Sequence, residues 1–485
     1  MMLRSVNRRL LICAVGLAAL FTGVLLARPW LGGYAIRTVL GMAGASAIKF
    51  HLITAVPSRV VVEDLEFRLK SQAFAAHRLT LERPRWWRFS LGRVQVEGAR
   101  VELAFDGSDS NPWSSPTFDG VADPTEPASL PVESLVLDGE VTVRAALQPD
   151  QRLTVKLAGA PKGKSDWVGS LVVDGPGFRL AGGGTLMGWG TELDFQVNSA
   201  ELDLKTWQGF IQRNWLLPDG PWEMAGRLTG VAEGHVTARR FAATARVSLR
   251  DGRMRAHSLD IAAGGAEAEL EFSDLWKFRT KSGVLRLQEL RVGRLALQDL
   301  RADIGLWGDQ TLAVSGGEFS ALGGRVKAAP FKYFLSQREV ETTLAVEGLD
   351  LARMLELVPG VPASVTGRVD GSLPIRLQDS SVRLDPGYLV LPSGQTADLE
   401  CNATALLRSG AVMSAGTVSV LKAAGNKPVR LQLRELRLDL RPPGLPLGCS
   451  ARLQVAGEAP EGPVAFVLNV NGGIEKYLDI LTVRR

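Results

Sequence analysis

Apolar and polar residues alternate along most of this chain after residue 58. The first clear run has Val60 and Val62 followed by Leu65 and Phe67, with polar residues between them. An alternation of period two predicts β-strands that have one apolar face and one polar face. Because the pattern continues for several hundred residues, it predicts a long sheet rather than a helical protein.

Pairs of polar residues interrupt the alternation at regular places. Glu63-Asp64 separates the first two groups of apolar residues, Glu97-Gly98 follows residues 94–96, and Asp138-Gly139 follows residues 135–137. Acidic-Gly pairs between alternating runs are typical of tight hairpin turns. They predict that consecutive strands are antiparallel neighbours in a meandering sheet of about 20 to 25 strands.

Further alternating runs predict strands over much of the remaining sequence. These runs are residues 153–157, 171–173, 193–197, 241–249, 285–300, 341–346, 382–390 and 464–470. Residues 106–130 differ, because they are rich in Ser, Pro, Asp and Gly. This composition predicts a loop excursion at the surface between the first strands and the rest.

Two helical patterns lie among the strands, at residues 204–217 and 349–357. Each is introduced by Leu-Asp-Leu, whose Asp can cap the first helical turn, and each ends in a Pro-containing stretch. A strand and a hairpin pattern follow both helices, so the segments near 202–252 and 349–387 read as a diverged repeat. Such repeats are typical of extended structures in which each unit contacts mainly its neighbours.

The N-terminal region contains one uncharged apolar segment, LLICAVGLAALFTGVLLA, at residues 10–27. At about 1.5 Å per residue, a helix of this length can cross a bilayer once. Arg4, Arg8 and Arg9 precede the segment, and the positive-inside tendency keeps such residues in the cytoplasm. The long remainder of the chain is therefore expected outside the cytoplasm.

This pattern predicts four consecutive regions. Residues 1–9 are a cytoplasmic N-terminus, residues 10–28 a transmembrane anchor, residues 29–57 a juxtamembrane helix, and residues 58–485 an exported β structure. A cleaved signal peptide is the alternative to the anchor, although no small-x-small cleavage site follows the apolar segment. The juxtamembrane segment, which has an irregular apolar face and several glycines, could instead cap the open end of the sheet.

Charge and composition exclude several function classes. The 485 residues carry a net charge of +5, but Lys and Arg are scattered instead of forming a basic run, so nucleic acid is not a predicted partner. The four histidines are far apart, and none has metal-ligand spacing. No nucleophile elbow, phosphate loop or zinc signature occurs in the sequence. We therefore predict no enzyme activity, no metal and no cofactor.

Two local features of the sequence each allow two interpretations. Cys401 and Cys449 could pair outside the cytoplasm, but the sequence does not tell whether their Cα atoms come within bonding distance. The cluster RWWRF at residues 85–89 has the aromatic and basic composition of a membrane interface. The same cluster fits a packed turn between strands, which is the interpretation that we favour.

Several stretches of the sequence resemble a known family. The N-terminal anchor, the strand run of residues 60–105 and the Gly-Leu-Asp-Leu helix start at Gly348 are similar to the AsmA-like superfamily. VDGSLPI at residues 369–375, LDPGYL at residues 384–389 and the ending NVNGGIEK resemble its YdbH branch. The superfamily resemblance covers most of the chain, and the branch resemblance lies mainly between about residue 315 and the end.

The resemblance implies a fold and a function. The fold is mainly β, with one N-terminal transmembrane helix followed by an elongated antiparallel sheet that curls into a groove, and a few short helices. The function is transport of phospholipids between the inner and outer membranes, with the body in the periplasm. A small outer-membrane lipoprotein is the implied partner, and the final edge strand, from Tyr477 to Val483, is where it would dock.

Within that fold, the apolar positions of the first strands are candidates for the lipid-binding groove floor. They are Val60, Val62, Leu65, Phe67, Leu79, Leu81, Val94, Val96, Val101, Leu103, Leu135, Leu137, Val141 and Val143, together with Leu249 further along the chain. The alternative is the core of a filled β-sandwich, and alternation is the same in both cases. A filled sandwich would favour a non-enzymatic scaffold for envelope assembly.

Overall fold

The structure is a computed structural model, and the part of the chain that it describes is almost entirely β. The described residues are 37, 45–56, 58–69, 72–84, 92–105, 132–145, 151–163, 166–187, 192–214, 222–237, 241–257, 260–275, 277–293, 295–308, 311–334, 339–357, 363–378, 381–425, 427–445 and 449–471. They divide into two compact units. The first unit comprises the described residues up to 202 and those within 209–216 and 230–243. The second unit comprises all the other described residues.

The first unit is built from consecutive long strands. They are β1 Ala45–Val56, β2 Arg59–Leu69, β3 Gln72–Glu82, β4 Gly92–Phe105, β5 Val132–Ala145, β6 Gln151–Pro161, β7 Trp167–Gly175, β8 Phe178–Met187 and β9 Glu192–Asp203. Sequence neighbours pair side by side and antiparallel, as predicted, except that β4 and β5 are parallel. The predicted loop excursion lies between these two strands, and a parallel pair needs a long connection of this kind.

The second unit contains most of the remaining elements, but residues 209–214 of α1, 230–237 of β10 and 241–243 of β11 belong to the first unit. The strands are β10 Trp222–Thr237, β11 Phe241–Ala256, β12 Ile261–Asp274, β13 Arg279–Val292, β14 Leu295–Trp307, β15 Thr311–Ala321, β16 Gly324–Ala328, β17 Phe331–Phe334, β18 Glu339–Asp350, β19 Ala363–Val365, β20 Arg368–Gln378, β21 Ser381–Leu384, β22 Gly387–Val390, β23 Ala397–Asn402, β24 Val412–Met413, β25 Pro428–Leu440, β26 Cys449–Ala459 and β27 Gly462–Asn471. The helices are α1 Leu204–Asn214, α2 Leu351–Glu356, α3 Ala403–Arg408 and α4 Ala415–Ala424.

The interruptions of the alternation are kinks inside strands rather than turns. Strands β2, β3 and β4 run through the row Asp64, His77 and Gly98, whose members lie opposite one another and take no part in the ladder pairing. Asp64 has a φ of 50° and Gly98 a φ of 62°. A left-handed residue in a strand bends it and changes which residues face each side, so Val62 and Leu65 share one face.

The hairpin turns predicted at the two acidic-Gly pairs are therefore wrong. Glu97-Gly98 lies within β4, where an extra residue shifts the register against β5. Asp138-Gly139 is an ordinary pair of positions inside β5. At Glu97-Gly98 the side-chain parity does change, but β4 continues because β2 and β3 kink at the same level, and at Asp138-Gly139 the parity of β5 does not change.

The second unit contains an equivalent row of kinks. Gly265, Gln288 and Asp299 lie opposite one another on β12, β13 and β14 and are likewise left out of the pairing. Gly265 has a φ of 61° and Asp299 a φ of 53°. The side chain of Gln288 packs on Gly265, where a Cβ atom would lie 2.4 Å from Gln288 Cδ. In both units a polar residue of the middle strand is flanked by two left-handed residues.

The predicted juxtamembrane helix at residues 29–57 is wrong for residues 45–56, which form β1. Ile48, Phe50 and Leu52 alternate in this segment and pack against the first hydrophobic cluster of the sheet. That alternation was the signal for a strand, but the preceding glycines and apolar residues obscured it. Of residues 29–44 only Arg37 is described, and it is helical.

Prolines separate strands at two places, one of which lies in a predicted strand. Ala329-Pro330 separates β16 from β17, and both pieces pair with β15 and β18. Asp385-Pro386 separates β21 from β22, so the predicted run at residues 382–390 is two strands. Proline has no N–H for the ladder, which explains the breaks. The run at residues 285–300 also spans two strands, β13 and β14, with a turn at Gly293.

Both predicted helices are confirmed, together with their caps. Asp203 accepts a hydrogen bond from the backbone N–H of Thr206 at 3.2 Å, and Asp350 accepts one from Ala352 at 2.8 Å. The sequence analysis missed α3 and α4, which have the N-caps Asn402 and Ser414. Among the described residues no helix is long and apolar enough to cross a membrane, and the predicted anchor lies outside them.

The kink rows give a test of the fold. Replacing Gly265 by Ala places a Cβ on a left-handed residue and against Gln288, so we expect a loss of about 1–2 kcal/mol in the free energy of unfolding. Gly264→Ala is the matched control, because no atom lies within 4 Å of its Cβ position. Urea unfolding of both variants measures the difference, and equal stability of the two would contradict the assignment of the kink.

Candidate functional site

The first unit has a continuous apolar face, which we call the first apolar face. Residues that pair directly across neighbouring strands lie on the same side of a sheet. Its rows are Val62, Leu79, Val96, Leu137, Leu157, Leu171, Gly182 and Val197; Val60, Leu81, Val94, Leu135, Gly159, Gly169, Gly184 and Phe195; Leu65, Ala76, Ala99, Gly139, Val155, Val173, Leu180 and Ala200; and Phe67, Phe74, Val101, Val141 and Leu153. None of these positions carries a polar side chain.

The opposite side of the same strands carries their charged residues, together with some apolar ones such as Val61, Val136 and Val172. Arg78 donates to Glu63 across β2 and β3 at 2.8 Å, and this hydrogen bond raises the pKa of the Arg78 guanidinium. Lys49 and Glu66 form an exposed ion pair at 3.7 Å between β1 and β2. Exposed pairs of this kind contribute little to stability. They mark the side that faces water, so the two faces of the sheet differ sharply in polarity.

Burial varies along the first apolar face. Val60, Val62 and Leu65 are at most 5% exposed and pack together with residues of β1 to β5. From β6 to β8, by contrast, positions such as Leu157 and Leu171 are only half-buried. The part of the face that remains accessible to a ligand is therefore the middle of the unit rather than its beginning.

The structure brings the predicted groove residues of the first unit onto this one face. Twelve of them belong to the four rows, and Leu103 and Val143 are paired with each other in the extension of β4 and β5. Leu249 lies in the second unit, opposite Ala268. The prediction stopped at Val143 and so missed the half-buried positions of β6 to β8, although the alternation of residues 153–157 and 171–173 already marked them.

The second unit has its own apolar face, which we call the second apolar face. One of its rows runs through Leu249, Ala268, Leu285, Ala302, Gly317, Ala328, Leu344 and Leu373. Most of these residues are half-buried, whereas Ala302 is buried. Leu344 and Leu373 pack against the C-terminal hydrophobic core, whereas the earlier half-buried positions are left partly open by the described residues.

At the C-terminal end of the second unit, helices cover the apolar side. Leu421 of α4 is fully buried, and Leu431 and Leu433 of β25 are each 1% exposed. Residues of α2 and α3, including Met354 and Leu406, pack against the same cluster. This end is a filled hydrophobic core of the kind that the sandwich alternative predicts.

Helix α4 also closes part of the last described strand edge. Thr417 is 1% exposed. Its hydroxyl accepts a hydrogen bond from the N–H of Ala465 at 3.0 Å and donates one to the carbonyl oxygen of Ala465 at 3.1 Å. Strand β24 pairs with Phe466 and Val467 of β27. The edge strand predicted from Tyr477 to Val483 lies outside the described residues.

Among the described residues, no group of three metal-ligating side chains could hold a metal ion. All four histidines lie beside carboxylates at exposed positions: His51 and His77 beside Asp64, His235 beside Asp194, and His257 beside Glu223. Cys401 has a free thiol, and burial raises its pKa. Cys401 lies opposite Val429 at the start of β25, whereas Ala451, two residues after Cys449, lies opposite Leu440 at the other end of that strand.

Comparison with known proteins identifies one family. Residues 196–390 match the YdbH-like family model, described as intermembrane phospholipid transport protein YdbH. The predicted resemblance to the YdbH branch is confirmed for this range. This part of the chain, which we call the YdbH-like segment, is similar to that family. No curated protein and no solved structure matches the chain.

The YdbH-like segment contains most of the second apolar face. It begins within β9 and ends at Val390, the last residue of β22. The sequence analysis placed the branch resemblance from about residue 315 onward, so the matched segment begins earlier. The family description names a transport protein and no enzyme, and it names phospholipid as the transported class.

One ion pair near the N-terminal end of the second unit gives a pH test. A hydrogen bond from His257, 3.0 Å away, lowers the pKa of Glu223 below its ordinary value of 4.5. Because the folded pKa is lowered, the pair stabilises the fold above the ordinary Glu pKa, and this contribution is lost as the pH falls through the folded pKa. We expect carbon-detected NMR to give a low pKa for Glu223 that rises towards the ordinary value in His257→Ala.

His235→Ala is the control for that titration, since His235 pairs with Asp194 and has no contact with Glu223. An unchanged Glu223 titration in His257→Ala would contradict the assigned cause.

Proposed function

We propose that this chain is an envelope protein that moves phospholipids between the inner and outer membranes along apolar sheet faces. The single observation that carries the proposal is the continuous, half-open apolar face of each unit. The match of residues 196–390 to an intermembrane phospholipid transport family supports the same ligand class. In this proposal residues 10–28 anchor the chain in the inner membrane, residues 1–9 lie in the cytoplasm, and the body lies in the periplasm.

Lipid tails provide the apolar layer that would cover the half-open faces. A large apolar surface exposed to water is rare in soluble proteins unless a ligand or partner covers it. Each acyl methylene that leaves water contributes about 0.8 kcal/mol. Successive strands repeat the same apolar row, as Leu137, Leu157 and Leu171 do. A tail that moves from one strand to the next therefore keeps its burial, and no chemical step is needed.

The covered C-terminal end fits a different role in the same proposal. Its core is already filled by α2, α3 and α4. This end therefore stabilises the sheet, while transport takes place on the half-open parts. A small outer-membrane lipoprotein is the proposed partner, and the chain after β27 is the proposed docking strand.

Photocrosslinking tests the proposal with adjacent residues. Leu137 lies on the first apolar face, and its neighbour Val136 lies on the opposite side and is 42% exposed. We expect a photoreactive amino acid at position 137 to capture phospholipid in cells and the same amino acid at position 136 to capture little. If no phospholipid is captured at position 137 or 136, and none at positions 157 and 171 either, the result would favour the scaffold alternative.

A second test introduces charge on the face. Leu171→Asp places a carboxylate among half-buried apolar residues, whereas Val172→Asp places it on the polar side, where the valine is already 37% exposed. A lipid tail that passes a carboxylate on the first apolar face must remove water from it, which costs free energy. We therefore expect Leu171→Asp to slow phospholipid exchange between vesicles about tenfold or more. Val172→Asp should exchange phospholipid at the wild-type rate. Equal rates in the two variants would argue against movement of lipid along the first apolar face.

A further inference from the structure

An exposed tryptophan, Trp307, lies on the side of the second unit opposite its apolar face. Along β14, Trp307 and Asp303 have one side-chain parity and Ala302 has the other. Ala302 belongs to the second apolar face through its pair with Leu285. Trp307 and Asp303 therefore face away from the proposed lipid track. We call their side the polar side of the second unit.

A depression of about 740 Å³ adjoins Trp307 on the polar side and extends from β13 to β15. Gly305 of β14 and Ala313 of β15 pair directly and form its floor, because neither has a long side chain. A Cβ atom at Gly305 would lie 3.6 Å from Trp307 Nε1, so the N–H edge of the indole borders this floor. Volumes of about 300–1,000 Å³ are usual for ligand sites.

The ring of Trp307 is exposed but held in place. It is 47% exposed, whereas Trp207 and Trp222 are each 8% exposed. The Nζ of Lys332 lies 4.8 Å from the centroid of the Trp307 ring. Lys332 approaches from β17, beyond β15, whereas the depression extends towards β13. This cation–π contact orients the indole and leaves its β13 side to the depression.

Charged groups of both signs line the depression. Arg279 of β13 and Asp303 of β14 both line it, and neither takes part in an ion pair among the described residues. Lys281 takes part in an exposed ion pair, which is weak in water. Ser282 and Ser315 add hydroxyl groups. The depression therefore offers hydrogen-bond donors and acceptors beside one aromatic ring, with a small excess of positive charge.

This combination fits a sugar ring better than a simple anion or an apolar ligand. One face of a pyranose ring consists of C–H groups that can lie on an indole, and its rim of hydroxyl groups needs both donors and acceptors. The Asp303 carboxylate would repel a bare phosphate. An apolar ligand would have to remove water from three charged side chains, which costs free energy.

We propose that the depression beside Trp307 binds a glycan, and that its ligand in the cell is the cell-wall polymer of N-acetylated sugars that carry carboxylate groups. The inference uses the periplasmic location given by the proposed function, because the wall lies between the two membranes. Trp307 stacks on a sugar ring, and Asp303 accepts hydrogen bonds from its hydroxyl groups. Arg279 and Lys281 donate charge-assisted hydrogen bonds to the carboxylates.

The sheet keeps the two proposed ligands apart. Lipid tails lie on the side of Ala302, and the glycan lies on the side of the next residue, Asp303. Contact with the wall therefore holds the chain in place between the membranes without occupying the second apolar face.

Cosedimentation with purified insoluble peptidoglycan tests the inference on the full chain in detergent. We expect the wild type to sediment with the polymer and Trp307→Ala to bind about tenfold more weakly or less, since an aromatic anchor carries much of the binding energy of a site. Tyr388→Ala is the matched control. Tyr388 also lies on the polar side, is 41% exposed and has a cation–π partner, Arg437, 5.4 Å away, but it does not line the depression. Equal binding of the two variants would overturn the inference.

Protection of Trp307 from oxidation gives a measurement that needs no variant. N-bromosuccinimide oxidises exposed indoles, and mass spectrometry of the peptide that contains Trp307 follows the rate. We expect chitohexaose, a soluble oligomer of N-acetylglucosamine, to slow this oxidation several-fold, and vesicles of phosphatidylglycerol to leave the rate unchanged. Protection by the vesicles alone would assign the depression to a membrane surface and overturn the inference, as would protection by neither probe.

The glycan site and the proposed transport fail separately. Glycan binding without phospholipid capture at positions 137, 157 and 171 would overturn the transport and leave the glycan site standing. Phospholipid capture at these positions without glycan binding would overturn only the glycan site.

Discussion

A sheet with one apolar and one polar face must have its apolar face covered, and this constraint underlies the whole structure. The chain satisfies it in different ways along its length. At the beginning of the first unit, residues around Val62 pack against neighbours from the same sheet. At the end of the second unit, α2, α3 and α4 provide a second layer over Leu431 and Leu433. Elsewhere on each face the described residues leave the apolar rows half-buried, and in the proposed function a lipid tail is the layer that covers them.

Continuity of the apolar face depends on the kinks as much as on the alternation. A left-handed residue in one strand alone would turn the following residues to the wrong side of the sheet. In the first unit Asp64, His77 and Gly98 kink three neighbouring strands at one level, so the apolar rows remain aligned on both sides of the row. Gly265, Gln288 and Asp299 do the same in the second unit. Strand bending and an uninterrupted face are thus properties of the same residues.

The sequence predicted the strands and the composition of the face, because alternation is a local signal. It also predicted the two capped helices, since Asp203 and Asp350 act within one helical turn. It could not distinguish a kink from a hairpin at Glu97-Gly98, because that difference lies in whether β3 and β5 continue alongside. The helices that fill the C-terminal core were missed for a related reason: α3 and α4 are short, and they are stabilised by burial of residues such as Leu421 rather than by a strong sequence pattern.

The closed part of the last strand edge limits how another chain could extend this sheet. An added strand needs free N–H and carbonyl groups along β27. The N–H and the carbonyl oxygen of Ala465 are already hydrogen-bonded to the Thr417 hydroxyl, and β24 pairs with Phe466 and Val467. A partner strand must therefore pair with residues after Val467 or displace β24 and α4. Displacement would expose Leu421 and the buried core beneath it, so addition beyond Val467 has the lower free-energy cost.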